Sequence, residues 1–133
     1  MKVSKGMQRY LTLARRVASQ SEHDHFKHGA ILVKGGSVLN TACNKDKYKR
    51  FGNRFRDTHN CGHATHHAEL GCILGLDRSI TQGATMYVVR MNREGTFRMS
   101  KPCGMCEEIL KFCGVKRVVY TTGDESTIKK HKL

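Results

Sequence analysis

The chain has 133 residues, 38% of them hydrophobic, and carries 24 Lys and Arg against 11 Asp and Glu, a formal net charge of +13. That length suits one domain spanning residues 1–133, with a core that needs no disulfide staples, while the charge favours an anionic partner without choosing its kind. No apolar run reaches the roughly 18 residues of a membrane span and the start lacks the apolar block of an export signal, so a soluble, cytoplasmic protein with no membrane association is expected.

In chain order, Val3, Met7, Leu11, Leu13, Ala14, Val17 and Ala18 recur at helical spacing and predict an amphipathic helix from Lys2 to about Gln20. Ser21 to His25 reads as a turn. Ala30–Val33, Gly35–Gly36 and Val38–Leu39 then predict a β-hairpin. From Asn44 to Gly62 no periodicity is evident. That stretch holds Lys45, Lys47, Lys49, Arg50, Arg54 and Arg56, interleaved with Tyr48, Phe51 and Phe55.

A second helix is expected from Thr65, an acceptable N-cap, to about Gly75. Ala84–Arg90 is rich in strand formers and reads as a central strand, with a turn at Asn92–Gly95. Ser100 is expected to cap, and Pro102 to open, a helix through Phe112 that Gly114 ends. Arg117–Thr121 follows as another strand, so a parallel right-handed crossover is predicted over residues 85–121. The basic tail Lys129–Lys132 is compatible with a short helix, a fifth strand or frayed chain. Without internal repeats or linker composition, the expected architecture is one sheet covered by helices.

The chemistry-bearing residues gather at two helix starts. Six cysteines without an export signal are better read as reduced thiols than as disulfides. Cys103 and Cys106 are three apart at a predicted helix start, where both thiols can face one ion and unpaired backbone N–H groups favour the thiolate. His67 would supply a neutral nitrogen from the other helix. Two thiolates and an imidazole suit zinc, and a fourth position left to water makes such a site catalytic. Glu69, two residues beyond His67, is poorly placed as a ligand but well placed beside one, to take a proton and return it.

Other readings compete. The Cys103–Cys106 pair alone would equally serve a redox centre or a structural zinc. The thioredoxin form of the first needs a proline facing the cysteines, whereas the only proline is Pro102, next to Cys103. A closed zinc module could recruit Cys61 or His63, but it would have no use for Glu69. His59, Cys61, His63 and His66 form a second cluster, yet their spacing matches no closed-site pattern, so a second, structural zinc is the less favoured reading. Cys43, Cys72 and Cys113 sit beside or within apolar elements and read as core thiols.

The ordered pair His67-Ala68-Glu69 and Pro102-Cys103-Gly104-Met105-Cys106 is a known signature of zinc-dependent nucleobase deaminases. The chain resembles the cytidine and deoxycytidylate deaminase superfamily over roughly residues 29–122. Gly29–Val33 resembles its first strand, Ser100–Cys103 its third-helix approach, and Gly114–Tyr120 the fourth strand of the nucleotide and tRNA branch. The resemblance implies a three-layer α/β/α fold with a mixed sheet of about five strands, β1 and β2 in a hairpin and the later strands parallel. It implies zinc on His67, Cys103 and Cys106, proton transfer by Glu69, contact with sugar or base by Asn44, and a pocket walled by Ala30 and the Ala68 backbone. Water activated by the metal would attack C4 of cytosine, and ammonia would leave uracil behind.

Three functions remain open. The first is deamination of a phosphorylated nucleotide of the deoxycytidylate type, the phosphate being held by one or more of Arg50, Arg54 and Arg56, with Lys101 a further candidate. The second is deamination of cytosine in single-stranded DNA or RNA, favoured by the net charge, the basic tail and the stacking candidates Tyr48, Phe51 and Phe55. The third is a non-catalytic zinc module that binds nucleic acid, against which the intact Glu69 argues. The chain lacks the Ser-Trp-Ser-Pro-Cys approach of many polynucleotide deaminases. Gly62–His66 replaces the Asp-Pro-Thr-Ala run of bacterial tRNA deaminases, and Thr41–Asn44 departs from the Gly-Tyr-Asn-Gly run of the nucleotide branch. A homo-oligomer is expected.

Overall fold

Along the central strands, side chains of even and odd number enter two different cores. Ala30, Leu32, Met86, Val88, Val118 and Tyr120 belong to one cluster, and Ile31, Val33, Tyr87, Val89 and Val119 to the other. This is the two-residue period of a pleated sheet buried on both faces. In this computed structural model the residues described are 5–21, 27–44, 68–92, 94–122 and 128–133.

Among the described residues the order is α1 (Lys5–Ala18), β1 (Lys27–Lys34), β2 (Ser37–Cys43), α2 (Ala68–Ile73), α3 (Arg78–Thr81), β3 (Thr85–Met91), β4 (Phe97–Arg98), α4 (Gly104–Phe112), β5 (Arg117–Thr121) and β6 (Ile128–Lys132). The strands lie in the order β2-β1-β3-β5-β6, with β4 hydrogen-bonded to β3 off that path. β1 runs antiparallel to both β2 and β3, β3 and β5 are parallel, and β6 returns antiparallel to β5. Helix α1 closes the odd-numbered face, and α2 and α4 close the even-numbered one. The expected three-layer arrangement with a mixed sheet is therefore present, and the basic tail is a strand.

Local signals explain the turns. Gly35 and Gly36 have φ of 59° and 79°, the left-handed pair that a tight hairpin between β1 and β2 requires. Gly29 serves a different need. A Cβ there would collide with the Ala14 carbonyl and the Ala18 amide, so only glycine lets α1 lie this close to β1. Ala14 and Ala18, both fully buried, are the matching small residues on the helix.

Two elements escape the periodicity. β4 is two residues that turn back onto β3 after the Asn92–Gly95 turn, with Arg90 and Arg98 as partners. α3 is a single turn capped by Asp77, whose carboxylate accepts from the Ser79 N–H at 2.8 Å. The predicted cap Ser100 is a correction. Its hydroxyl is buried and donates to the Val88 carbonyl at 2.9 Å, and Cys103 occupies the N-cap of α4. Of the three predicted core thiols, Cys72 and Cys113 are buried, whereas Cys43 at the end of β2 is only half-buried.

Candidate active site

The strands β3 and β5 run parallel with α4 as their crossover, so the start of α4 lies beyond their carboxyl ends, where open α/β sheets place their ligand sites. The segment leading into it is tied to those ends. Ser100 N–H donates to the Thr121 carbonyl at 2.9 Å, Thr121 N–H donates to the Ser100 hydroxyl at 2.7 Å, and the Thr121 hydroxyl donates to the Arg98 carbonyl at 2.8 Å. Both side chains are almost wholly inaccessible, so each of these bonds is protected from water. This latch fixes where Cys103 sits. It was not legible in the sequence, because a serine near a proline looks like a cap and a strand-terminal threonine looks like a strand former.

Cys103 is the N-cap of α4, with φ −67° and ψ 167°, and its carbonyl accepts the first intrahelical bond from Glu107 N–H at 2.9 Å. Its thiol makes no capping bond, so the sulfur is not spent on closing the helix. Cys106 is three residues on, the position that faces the N-cap side chain in a helix start. The two thiols therefore share one side of the turn whose N–H groups stabilise a thiolate. That donor pair fits zinc. The predicted third ligand, His67, lies outside the described residues, and among the described residues no set of three metal-ligating side chains is gathered.

Across from α4, Glu69 occupies the first turn of α2 and is only 4% exposed. Ala68, Cys106 and the fully buried Ala30 of β1 belong to one packed cluster, with Cys103 against it. The start of α2, the start of α4 and β1 thus meet in one packed layer. Cys72, one turn after Glu69, is a core group. Burial, reinforced by the Glu69 charge, pushes its thiol far above the usual range, and the neutral S–H donates to the Ala30 carbonyl at 3.0 Å. Asn40 of β2 donates its side-chain N–H to the Cys72 carbonyl at 2.9 Å, tying α2 to the hairpin.

Asn44 ends the hairpin. Its side-chain oxygen accepts from the His28 N–H at 3.0 Å and from the Ser21 hydroxyl, and its N–H donates to the His28 carbonyl at 3.2 Å. The oxygen is committed to the fold. Lys101 is exposed in the approach to α4. Glu107, next to Cys106, bonds His131 of β6 at 2.9 Å. That bond, with help from Lys111 and Lys101, holds its carboxyl below the usual carboxylate range. Arg50, Arg54, Arg56, Tyr48, Phe51 and Phe55 lie outside the described residues, as do His59, Cys61, His63 and His66.

Comparison with known proteins agrees with this geometry. The family described as "Cytidine and deoxycytidylate deaminase zinc-binding region" matches residues 4–122. Among solved structures, dCMP deaminase from the cyanophage S-TIM5 is 24% identical with a TM-score of 0.60, over 92% of this chain and 86% of that one. Cytidine deaminase from Burkholderia pseudomallei is 20% identical with a TM-score of 0.61, over 94% and 91%. RibD from Acinetobacter baumannii is 20% identical with a TM-score of 0.56, and the match covers 89% of this chain but only 28% of that one. At these identities the likeness is one of fold. No curated protein sequence matches the chain significantly. A match over residues 4–122 takes in nearly the whole sequence and both motif-bearing helix starts, and on it the chain belongs to the cytidine and deoxycytidylate deaminase family.

Proposed function

We propose that this chain is a zinc-dependent hydrolytic deaminase that converts cytosine to uracil in a phosphorylated nucleotide of the deoxycytidylate type. The observation that carries the reading is the pairing of Cys103 at the N-cap of α4 and Cys106 three residues on with a buried Glu69 in the first turn of the facing helix. His67, Cys103 and Cys106 would hold the metal. Zinc bound there supplies Lewis acidity and lowers the pKa of a water to near neutrality.

The protein's own residues do the rest. Glu69, enclosed by the α2 and α4 layer, takes a proton on its carboxylate and delivers it to the departing amine. Its burial strengthens each electrostatic contact it makes with the reacting base. Ala30 and Ala68, both without exposed surface, belong to the close-packed core that backs Glu69. Phosphate recognition falls to Arg50, Arg54, Arg56 and Lys101. Tyr48, Phe51 and Phe55 are candidates for stacking on a base.

The test is to supply zinc and assay uracil release from dCMP, dCTP, cytidine and a cytosine-containing single strand. Turnover of dCMP that greatly exceeds the others supports the reading. Turnover of the strand alone would replace it with the polynucleotide reading that the net charge of +13 favours. No release from any of the four would overturn the catalytic assignment.

A further inference from the structure

The face of β5 and β6 on the α1 side of the sheet bears a row of cations with no counterpart in the deaminase site. Arg117 and Lys132 are direct partners across the β5–β6 ladder, and Val119 pairs with Lys130. By strand alternation Arg117, Lys130 and Lys132 share the face to which the buried Val119 and Ile128 belong, whereas His131 turns to the opposite face and reaches Glu107 of α4. Lys116, at the rim where β5 begins, lines the same depression. These four residues are the described lining of a depression of about 260 Å³, and none of them is acidic. Helix α1, which covers β1 and β3 on the same side of the sheet, carries Lys5, Arg9, Arg15 and Arg16 and likewise contains no Asp or Glu.

Two like charges placed directly opposite each other on one face of a sheet are destabilising. Lysines on the edge strand β6 would also discourage edge-to-edge pairing of sheets, which explains Lys129, Lys130 and Lys132. It does not explain Arg117, which sits on the interior strand β5 and faces Lys132. An anion bound between them would turn that repulsion into attraction. Lys130 and Lys132 are two residues apart in an extended strand, about 6.7 Å, of the order of the step between phosphates on a stretched nucleic-acid backbone. The depression spans two strands about 4.8 Å apart, a width on the scale of one phosphodiester backbone.

We infer that this face is a docking surface for the phosphate backbone of a single-stranded nucleic acid, held by Arg117, Lys130 and Lys132 on the side of the sheet opposite Glu69, with Lys116 at its rim. The surface is independent of the deaminase reading and would anchor the protein on a strand whichever nucleotide the active site accepts.

The probe is fluorescent oligothymidine, which offers backbone but no cytosine, titrated with the full chain at several salt concentrations. Wild-type protein should bind, with affinity falling steeply as salt rises. The variant Arg117→Gln/Lys130→Gln/Lys132→Gln should flatten the slope of log Kd against log salt by about two, since each phosphate contact on a single strand contributes about 0.7. Its uracil release from any substrate the wild type accepts should be unchanged, so loss of binding and absence of deaminase activity are read separately. In case the variant aggregates through its unblunted edge, lysine-reactive footprinting of the wild type gives a second reading. Lys116, Lys130 and Lys132 should be protected by oligothymidine. No binding, an unchanged salt slope, equal labelling with and without the strand, or binding to phosphatidylserine vesicles in place of the strand would each overturn the proposal.

Discussion

On the α2 and α4 side of the sheet lie Glu69, Cys72, Cys103, Cys106 and Cys113, most of them buried, whereas α1 and the strand side chains facing it contain cations and no carboxylate. The same strands serve both sides, with alternate residues assigned to each. Enclosure is what lets a carboxylate or a thiolate act strongly at short range, because the local dielectric is low. The cations stand in solvent, where attraction is long-ranged but weakened by salt within about 10 Å at 0.1 M. Substitutions on the first side should have large effects that ignore ionic strength, and those on the second should have modest effects that follow it.

The sharpest way to break this contrast is Glu69→Gln. Uracil release should fall by at least about 100-fold at every salt concentration, with the melting temperature little changed. Undiminished turnover would show that the buried carboxylate does not move the proton. Next in size, Ile109→Ala should cost about 2–5 kcal/mol, because the side chain is 1% exposed in the core beneath α4. It should also lower the zinc content of the folded protein, since the helix that carries both thiols would settle. Gly29→Ala should cost about 1–3 kcal/mol by driving α1 from β1. Turnover per folded molecule should be kept, and a fall in both would show that the two layers are coupled.

Ser100→Ala should cost about 1–3 kcal/mol by leaving the buried Thr121 N–H without its acceptor, and it should raise KM or lower kcat through the loosened approach to Cys103. The smallest effect concerns acid. The His131 hydrogen bond, ahead of the Lys111 and Lys101 charges, holds the Glu107 carboxyl low. A depressed folded value means that the contribution is fully present above the unfolded value of about 4.3 and drains away as pH falls below it. Denaturant titrations of His131→Asn should therefore show lower stability near neutrality and a shallower decline below about pH 4.3 than wild type. A decline as steep as that of the wild type would remove His131 as the cause.

Much of this was readable from residues whose conformational demands are local. Gly35–Gly36, Gly75 and Gly114 adopt positive φ where the hairpin turns and the helix stops were expected. The apolar runs at Ala30–Val33 and Tyr87–Val89 announce strands buried on both faces. What was not readable depends on distant partners. Nothing local says that β1 pairs with β3, or that the Ser100 hydroxyl spends its proton on Val88 rather than on a helix end. β4 is too short to show a period, and Lys27–Gly29 lacks the apolar pattern that would have extended β1 to its start. For the site, motif spacing singled out Cys103, Cys106 and Glu69 as candidates, while the Ser100–Thr121 latch emerged only with the fold. The basic aromatic stretch of residues 45–56 lies outside the described residues.

Strand β5 holds Val118 and Tyr120 under α4, offers Arg117 to the opposite face, and ends in the threonine that latches the approach to Cys103. Its reading frame is therefore a shared resource. A single-residue insertion between Arg117 and Thr121 would exchange the two faces at once, turning cations towards the core and carrying the latch out of reach. In an insertion scan of the whole gene, these five positions should form a gap even where most individual substitutions are tolerated.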